Sequence, residues 1–167
     1  MNRFLILPAL ALVVACGSND EVASGTFTDD EGNEGSYSVS GDDENAEMTF
    51  KSGDGEVKFT TGNKASEDLP LGVKLYPGAN VQTSIKGMGE GQSGAMVVFK
   101  SDDSQDEVLE FYKDQMKSLG IDIRTEVKTG DMQMIGGEQK DGQVFNVSVT
   151  KEPSGGGVVT NLLIGGK

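Results

Sequence analysis

The chain has 167 residues, with 27 acidic and 14 basic side chains and a net charge of −13 at pH 7. This balance excludes nucleic acid as a partner, because binding phosphates needs clustered lysine and arginine side chains. The chain has no histidine and a single cysteine, which excludes histidine-dependent catalytic triads and the common zinc sites.

The N-terminal segment begins Met1-Asn2-Arg3 and continues as an apolar run from Phe4 to Ala15. A basic start, a short apolar run and small residues at its end are typical of a secretory signal peptide. The run is too short to span a bilayer, which needs about 20 apolar residues. We therefore expect residues 1–15 to be a signal peptide, cleaved between Ala15 and Cys16. An ordinary signal peptide with an incidental cysteine is the alternative.

The stretch Val13-Val14-Ala15-Cys16-Gly17 resembles the lipobox of Gram-negative bacterial lipoproteins. The resemblance implies that the Cys16 sulfur carries a diacyl lipid, that Cys16 becomes the new N-terminus, and that its amine is acylated as well. The membrane is then a partner through the lipid on Cys16. Gly17 stands where an Asp often retains such lipoproteins in the inner membrane, so the resemblance favours the outer membrane, facing the periplasm.

Residues 16–24 are predicted to be a lipidated, flexible tether, and residues 25–62 a small lobe of short strands. Apolar and polar residues alternate there with the period of half-buried strands, around Tyr37 and Val39, Met48 and Phe50, and Val57 and Phe59. We expect an antiparallel β-meander that packs on the rest of the protein. The recurrence of Ser40-Gly41-Asp42 as Ser52-Gly53-Asp54 leaves a β-solenoid turn as the alternative.

Residues 63–78 are predicted to be a linker and turn, and residues 79–167 an α+β domain with the element order ββαββββ. The run Ala95–Phe99 is continuously apolar, which predicts a central strand covered on both faces. The predicted fold class is therefore α+β: an antiparallel sheet covered by one amphipathic helix and preceded by a small N-terminal β-meander. The meander is expected to cover the second face of that sheet.

One helix is predicted from Ser104 to Leu119, because Ser104 and Glu107 have the spacing of a capping box and Gly120 suits the position after the helix. Its buried face is predicted to carry Val108, Phe111, Tyr112, Gln115 and Leu119, with Met116 beside it.

A second resemblance covers most of the chain after Cys16. The stretches Leu75-Tyr76-Pro77-Gly78-Ala79, Glu110-Phe111-Tyr112 and Met134-Ile135-Gly136-Gly137-Glu138 are similar to those of small uncharacterised lipoproteins of Gram-negative bacteria. The resemblance implies an envelope location and no particular activity.

These features predict a non-catalytic, membrane-anchored envelope lipoprotein that acts as a binding or assembly module with an envelope protein partner. No catalytic residue, metal site or cofactor is predicted. A divalent-cation or small-ligand module is the alternative, since acidic turns carry oxygen ligands of the kind that Ca²⁺ prefers, at Asp29, Glu31 and Asn33 and at Asp42, Asp43 and Glu44. A carboxylate-based hydrolase is the remote alternative. It needs a carboxyl group whose pKa is raised by an apolar pocket, whereas the acidic residues here are expected in turns and on exposed strand faces.

Overall fold

The computed structural model describes residues 21–28, 32–42, 45–62, 69–89, 92–153 and 155–166. Within these residues the chain forms ten β-strands and one α-helix. Their bounds are β1 Glu21–Thr28, β2 Glu34–Gly41, β3 Ala46–Ser52, β4 Gly55–Thr61, β5 Asn80–Gly89, β6 Gln92–Ser101, α1 Gln105–Ser118, β7 Asp122–Lys128, β8 Met132–Glu138, β9 Val144–Lys151 and β10 Val158–Gly166.

The ten strands form one continuous sheet in the order β1-β2-β3-β4-β5-β6-β10-β9-β8-β7. Every pair of neighbouring strands is antiparallel. Most neighbours in the sheet are also neighbours along the chain, and the exception is β10, which inserts between β6 and β9.

The predicted fold class is wrong, because the first four strands are not a separate meander in front of a smaller sheet. β4 pairs with β5 along its whole length, from Gly55 opposite Gly89 to Thr61 opposite Thr83. An uncovered edge of β5 would present unpaired N–H and C=O groups, and this pairing satisfies them. The N-terminal strands therefore extend the sheet sideways and do not cover its second face.

The helix begins and ends through local hydrogen bonds. The Ser104 hydroxyl accepts from the Glu107 amide at 3.3 Å, and the Ser104 amide donates to the Glu107 carboxylate at 3.0 Å. At the other end Gly120 has a φ of +69°, and the Ile121 amide donates to the Met116 carbonyl at 2.8 Å, as in a Schellman motif. The predicted helix and its capping box are confirmed.

The helix packs on β7, β8 and β9 with a face that differs from the predicted one. Val108, Leu109, Tyr112 and Met116 are buried, whereas Phe111 is only half-buried. Phe111 lies at the margin of the core, where its ring packs edge-on against Tyr76 from the preceding loop with ring centroids 5.2 Å apart. The predicted buried face is therefore rotated from the real one toward Phe111.

Met116 packs closely because β8 carries a glycine beneath it. A Cβ atom at Gly137 would lie 2.8 Å from the Met116 terminal methyl and 2.8 Å from Ile121. That distance is shorter than real Cβ contacts allow. Gly137 thus lets the end of the helix approach the sheet.

The rest of the core comes from the sheet face below the helix. Tyr112 is central to it, since its ring lies 6.3 Å from that of Phe99 and 5.9 Å from that of Phe145. The buried strand residues that share this core are Val81, Ala95, Val97, Phe99, Ile135, Phe145, Val147, Val149, Val158, Leu162 and Ile164.

The loop before β5 closes one side of this core. Leu69 and Val73 are buried in it. The Gln115 side chain holds the loop on the helix, because its amide group donates to the Lys74 carbonyl at 2.8 Å and its oxygen accepts from the Lys74 amide at 2.7 Å. The Tyr112 hydroxyl also accepts from the Tyr76 amide at 3.2 Å. Helix, loop and sheet therefore form one packed unit.

We expect Met116→Ala to lower the free energy of unfolding by about 2–5 kcal/mol, because it leaves a cavity between the helix and Gly137. Lys117→Ala is the matched control, since Lys117 is the next residue and is exposed. Urea unfolding of both variants measures the difference. Equal midpoints for the two variants would contradict this assignment of the buried face.

Candidate functional site

The two faces of the sheet can be told apart from β6. Phe99 and Val97 are fully buried and face the helix, with Phe99 against Tyr112. Successive side chains of a strand point to opposite faces, so Met96 and Val98 point away from the helix. Met96 is 39% exposed. The prediction that this strand is covered on both faces is therefore wrong.

The face that points away from α1 carries large apolar side chains over half the sheet. We call it the open face and define it by Phe27, Tyr37, Val39, Met48, Phe50, Val57, Phe59, Ile85, Met96 and Leu163. Residues directly opposite each other in the ladder share a face, and the pairing places these side chains together.

Two rows of cross-strand pairs organise the open face. The long row runs without a break across six strands, through Val39, Met48, Phe59, Ile85, Met96 and Leu163. The short row lies beside it and joins Tyr37, Phe50 and Val57. Phe50 and Phe59 connect the rows through an edge-on contact with ring centroids 6.1 Å apart. The open face is thus one contiguous apolar surface.

These side chains remain accessible to solvent. Phe27, Met48, Phe50, Val57 and Phe59 are 37–39% exposed, and Leu163 is 48% exposed. Folded monomers rarely expose contiguous apolar patches larger than a few hundred Å² unless the patch binds something. The open face is therefore the candidate functional site.

Glycines on the first two strands let aromatic rings lie flat on the open face. The Tyr37 ring covers Gly25 on the neighbouring strand, where a Cβ atom would lie 2.7 Å from the ring. Phe27 covers Gly35 in the same way. Any larger residue at either glycine would push the ring away from the sheet. The outer part of the open face is thus formed by rings that lie over bare backbone.

Charge is separated between the two faces of β1 to β5. Among the described residues of these strands, the open face carries no charged side chain. The opposite face carries two ion pairs, Lys51 with Glu56 and Lys58 with Glu47, each at 2.9 Å. The serines of β2, at Ser36, Ser38 and Ser40, lie on that charged face. An acidic protein thus keeps one large surface free of charge.

Most of the residues that the sequence singled out are not among the described residues. Ala15 and Cys16 fall outside the described residues, as do Asp29, Glu31, Asp43 and Glu44. Asp42 is described, and its carboxylate accepts from the Asn45 backbone amide at 2.7 Å, which is a turn-forming contact. No group of three or more metal-ligating side chains comes together within the part of the chain that the structure describes.

Among the described residues, two carboxyl groups have clearly shifted pKa values, and both shifts are downward. Hydrogen bonds from Gln133 and Lys128 lower the pKa of Asp106, and those from the side chain and backbone of Ser104 lower that of Glu107. A catalytic general acid needs the opposite shift. Burial raises the pKa of Tyr112. Burial and a hydrogen bond with Asp103 raise the pKa of Tyr76 to about 12. These four groups stabilise the helix and its loop.

The sequence indicates that the strands β2, β3 and β4 have an apolar side, but it does not show that this side is exposed. The alternation of apolar residues in β2, β3 and β4 is visible in the sequence, and its apolar side was expected to pack on the second lobe. Within the described part of the chain, nothing covers that side. No helix among the described residues is long and apolar enough to cross a membrane.

We expect Ser104→Ala to lower the urea midpoint at pH 7 and to do so less at acid pH. The folded-state pKa of Glu107 lies below its ordinary value, so the capping box stabilises the fold above that ordinary value, about 4.3. This contribution disappears as the pH falls through the folded-state pKa. Urea unfolding of parent and variant between pH 7 and about pH 3 should show converging midpoints. A difference between the two urea midpoints that stays constant over this pH range would contradict the role of the Glu107 carboxylate.

The comparisons with known proteins give one similarity. The START domain-like family model matches residues 81–157, from β5 to the end of β9 and including α1, which is less than half of the chain. No curated protein and no solved structure matches the chain. The first four strands, which carry most of the open face, lie outside the matched region.

Proposed function

We propose that this protein is a non-catalytic, membrane-anchored lipoprotein of the cell envelope that binds a partner through the open face. The observation that carries the binding role is the contiguous apolar surface across β1 to β6 and β10, which carries no charged side chain on the described residues of β1 to β5. Similarity to the START domain-like family supports the same role, because such domains are usually binding modules.

The size of the open face is sufficient for binding. Aromatic side chains contribute about 150–250 Å² each when fully buried. Seven open-face residues are about 40% exposed, namely Phe27, Met48, Phe50, Val57, Phe59, Met96 and Leu163. With areas near the lower end of that range, they offer on the order of 400–500 Å² of apolar surface. At about 25 cal/mol per Å², covering that surface contributes roughly 12 kcal/mol. Association costs about 4–15 kcal/mol, so the apolar surface offsets most or all of this cost.

The anchor places the open face near a membrane. β1 begins at Glu21, so residues 17–20 separate the sheet from Cys16. Even when fully extended, the five residue steps from Cys16 to Glu21 reach at most about 18 Å. Two or three acyl chains on Cys16 hold a protein stably at a bilayer, because each buried CH₂ contributes about 0.8 kcal/mol. In this proposal the partner is encountered at the periplasmic surface of the outer membrane.

Cys16→Ser should release the protein from the membrane fraction or leave it as an uncleaved precursor, because no sulfur remains to accept the lipid. The measurement is fractionation of the cell envelope with detection of the chain in each fraction. Ser18→Ala is the control, since it changes a nearby polar residue and leaves Cys16 in place. If the Cys16→Ser protein fractionates and migrates like the parent, the lipid anchor is wrong.

Binding through the open face can be tested with a photoreactive label. Phe59→Cys labelled with benzophenone maleimide should form covalent adducts in the envelope when illuminated, because the label then lies on the open face. Lys58→Cys is the matched control, since Lys58 is the preceding residue, points to the charged face and has a side chain that is also 38% exposed. Adducts in equal yield from both positions, or from neither, would contradict the proposal.

A further inference from the structure

We propose that the open face is covered by a second copy of this chain, so that two sheets stack face to face in a twofold-symmetric dimer. The inference rests on the binding role proposed above and names the partner. In a twofold dimer the same surface of both copies meets, so the surface must be complementary to itself. A flat face of uncharged apolar side chains meets this requirement.

The area agrees with that of a dimer. Two open faces together bring on the order of 1,000 Å² of exposed apolar side chain, with each aromatic contributing as above. The glycines and threonines between the rows add to this surface. Stable protein interfaces bury about 1,200–2,000 Å² in total. One open face against another therefore approaches the lower end of this range.

The arrangement of the rows suits the packing of two sheets. Stacked sheets lie about 10 Å apart, and the side chains of their inner faces interdigitate. Met48 and Met96 lie in the long row, and methionine adapts its shape to irregular gaps. The stacked pair would turn a sheet with one bare face into a β-sandwich, in which each copy supplies the cover that the other lacks.

The charges favour a second copy over a lipid surface. Face-to-face stacking buries no ion pair of β3 and β4, because Lys51, Glu56, Lys58 and Glu47 lie on the outer faces. Amphipathic helices that lie in a lipid interface are rich in lysine and arginine on their polar face, which anionic headgroups attract. This chain has a net charge of −13, so an anionic lipid surface repels it.

Crosslinking in the cell envelope tests the dimer on the full chain. Phe50→Cys, treated with a homobifunctional maleimide, should give a homodimer band. Lys51→Cys is the control, since it is the next residue, points to the outer face and has a side chain that is 61% exposed, against 37% for Phe50. The parent chain, whose single cysteine is Cys16, is the control for any crosslink that forms through Cys16. A homodimer band from Phe50→Cys alone supports the proposal.

Charge variants give a second measurement. Phe50→Glu places a carboxylate in the proposed interface, whereas Ser38→Glu adds the same charge to the outer face of the neighbouring strand. In sedimentation of the purified full chain, Phe50→Glu should dissociate at concentrations at least about tenfold higher than the parent, which is the effect of about 1.4 kcal/mol, and Ser38→Glu should match the parent. Circular dichroism checks that both variants fold. If Phe50→Glu does not fold, the crosslinking of Phe50→Cys decides whether the dimer exists.

Three outcomes would overturn the second copy as the occupant. A monomer in which the thiol introduced by Phe50→Cys reacts freely shows an uncovered face, and a monomer in which that thiol is protected shows a face covered by the chain's own N-terminal residues. A crosslink only to a different protein shows another partner. In that third case the adducts from Phe59→Cys persist, so the proposed binding role stands while the dimer fails.

Discussion

The structure depends on one constraint: a single antiparallel ladder of ten strands has two faces, and one short helix covers part of one of them. The helix has 14 residues and is therefore about 21 Å long. Ten strands spaced about 4.8 Å apart make a sheet more than about 40 Å wide. The helix therefore covers only the part of the sheet that contains β7 to β9. The loop before β5 covers the neighbouring strands β6 and β10.

The side of each strand that is apolar depends on whether the helix covers that strand. Below the helix, the helix-facing side is apolar, as at Val97, Phe145 and Leu162. Beyond the helix, the same side of β2 to β4 carries serine, lysine and glutamate, and the opposite side becomes apolar. The apolar side thus changes from one face to the other near β5 and β6. The helix-covered half forms a complete core by itself, whereas the N-terminal half presents an apolar surface that needs a cover.

This division connects the fold to the proposed role. The half that contains the buried core includes residues 81–157, which the START domain-like family model matches, and contacts of Tyr112 and Gln115 hold the helix against the sheet and the loop. The other half begins shortly after Cys16, at Glu21, and carries the exposed rows. In a lipid-anchored protein, binding surface and anchor would then lie at the same end of the chain. Elements held by few buried contacts are the usual sites of binding.

The sequence by itself determined the features that depend on neighbours along the chain. The capping box of Ser104 and Glu107 and the stop at Gly120 involve residues within a few positions of each other, so the helix was predictable. The alternation in β2, β3 and β4 likewise follows from single strands. Only the tertiary structure decided that β4 pairs with β5, that Leu109 is buried while Phe111 lies at the margin of the core, and that nothing in the described chain covers Phe50 and Phe59. These outcomes depend on which distant segments meet, and a periodic pattern shows that a face is apolar without showing what lies against it.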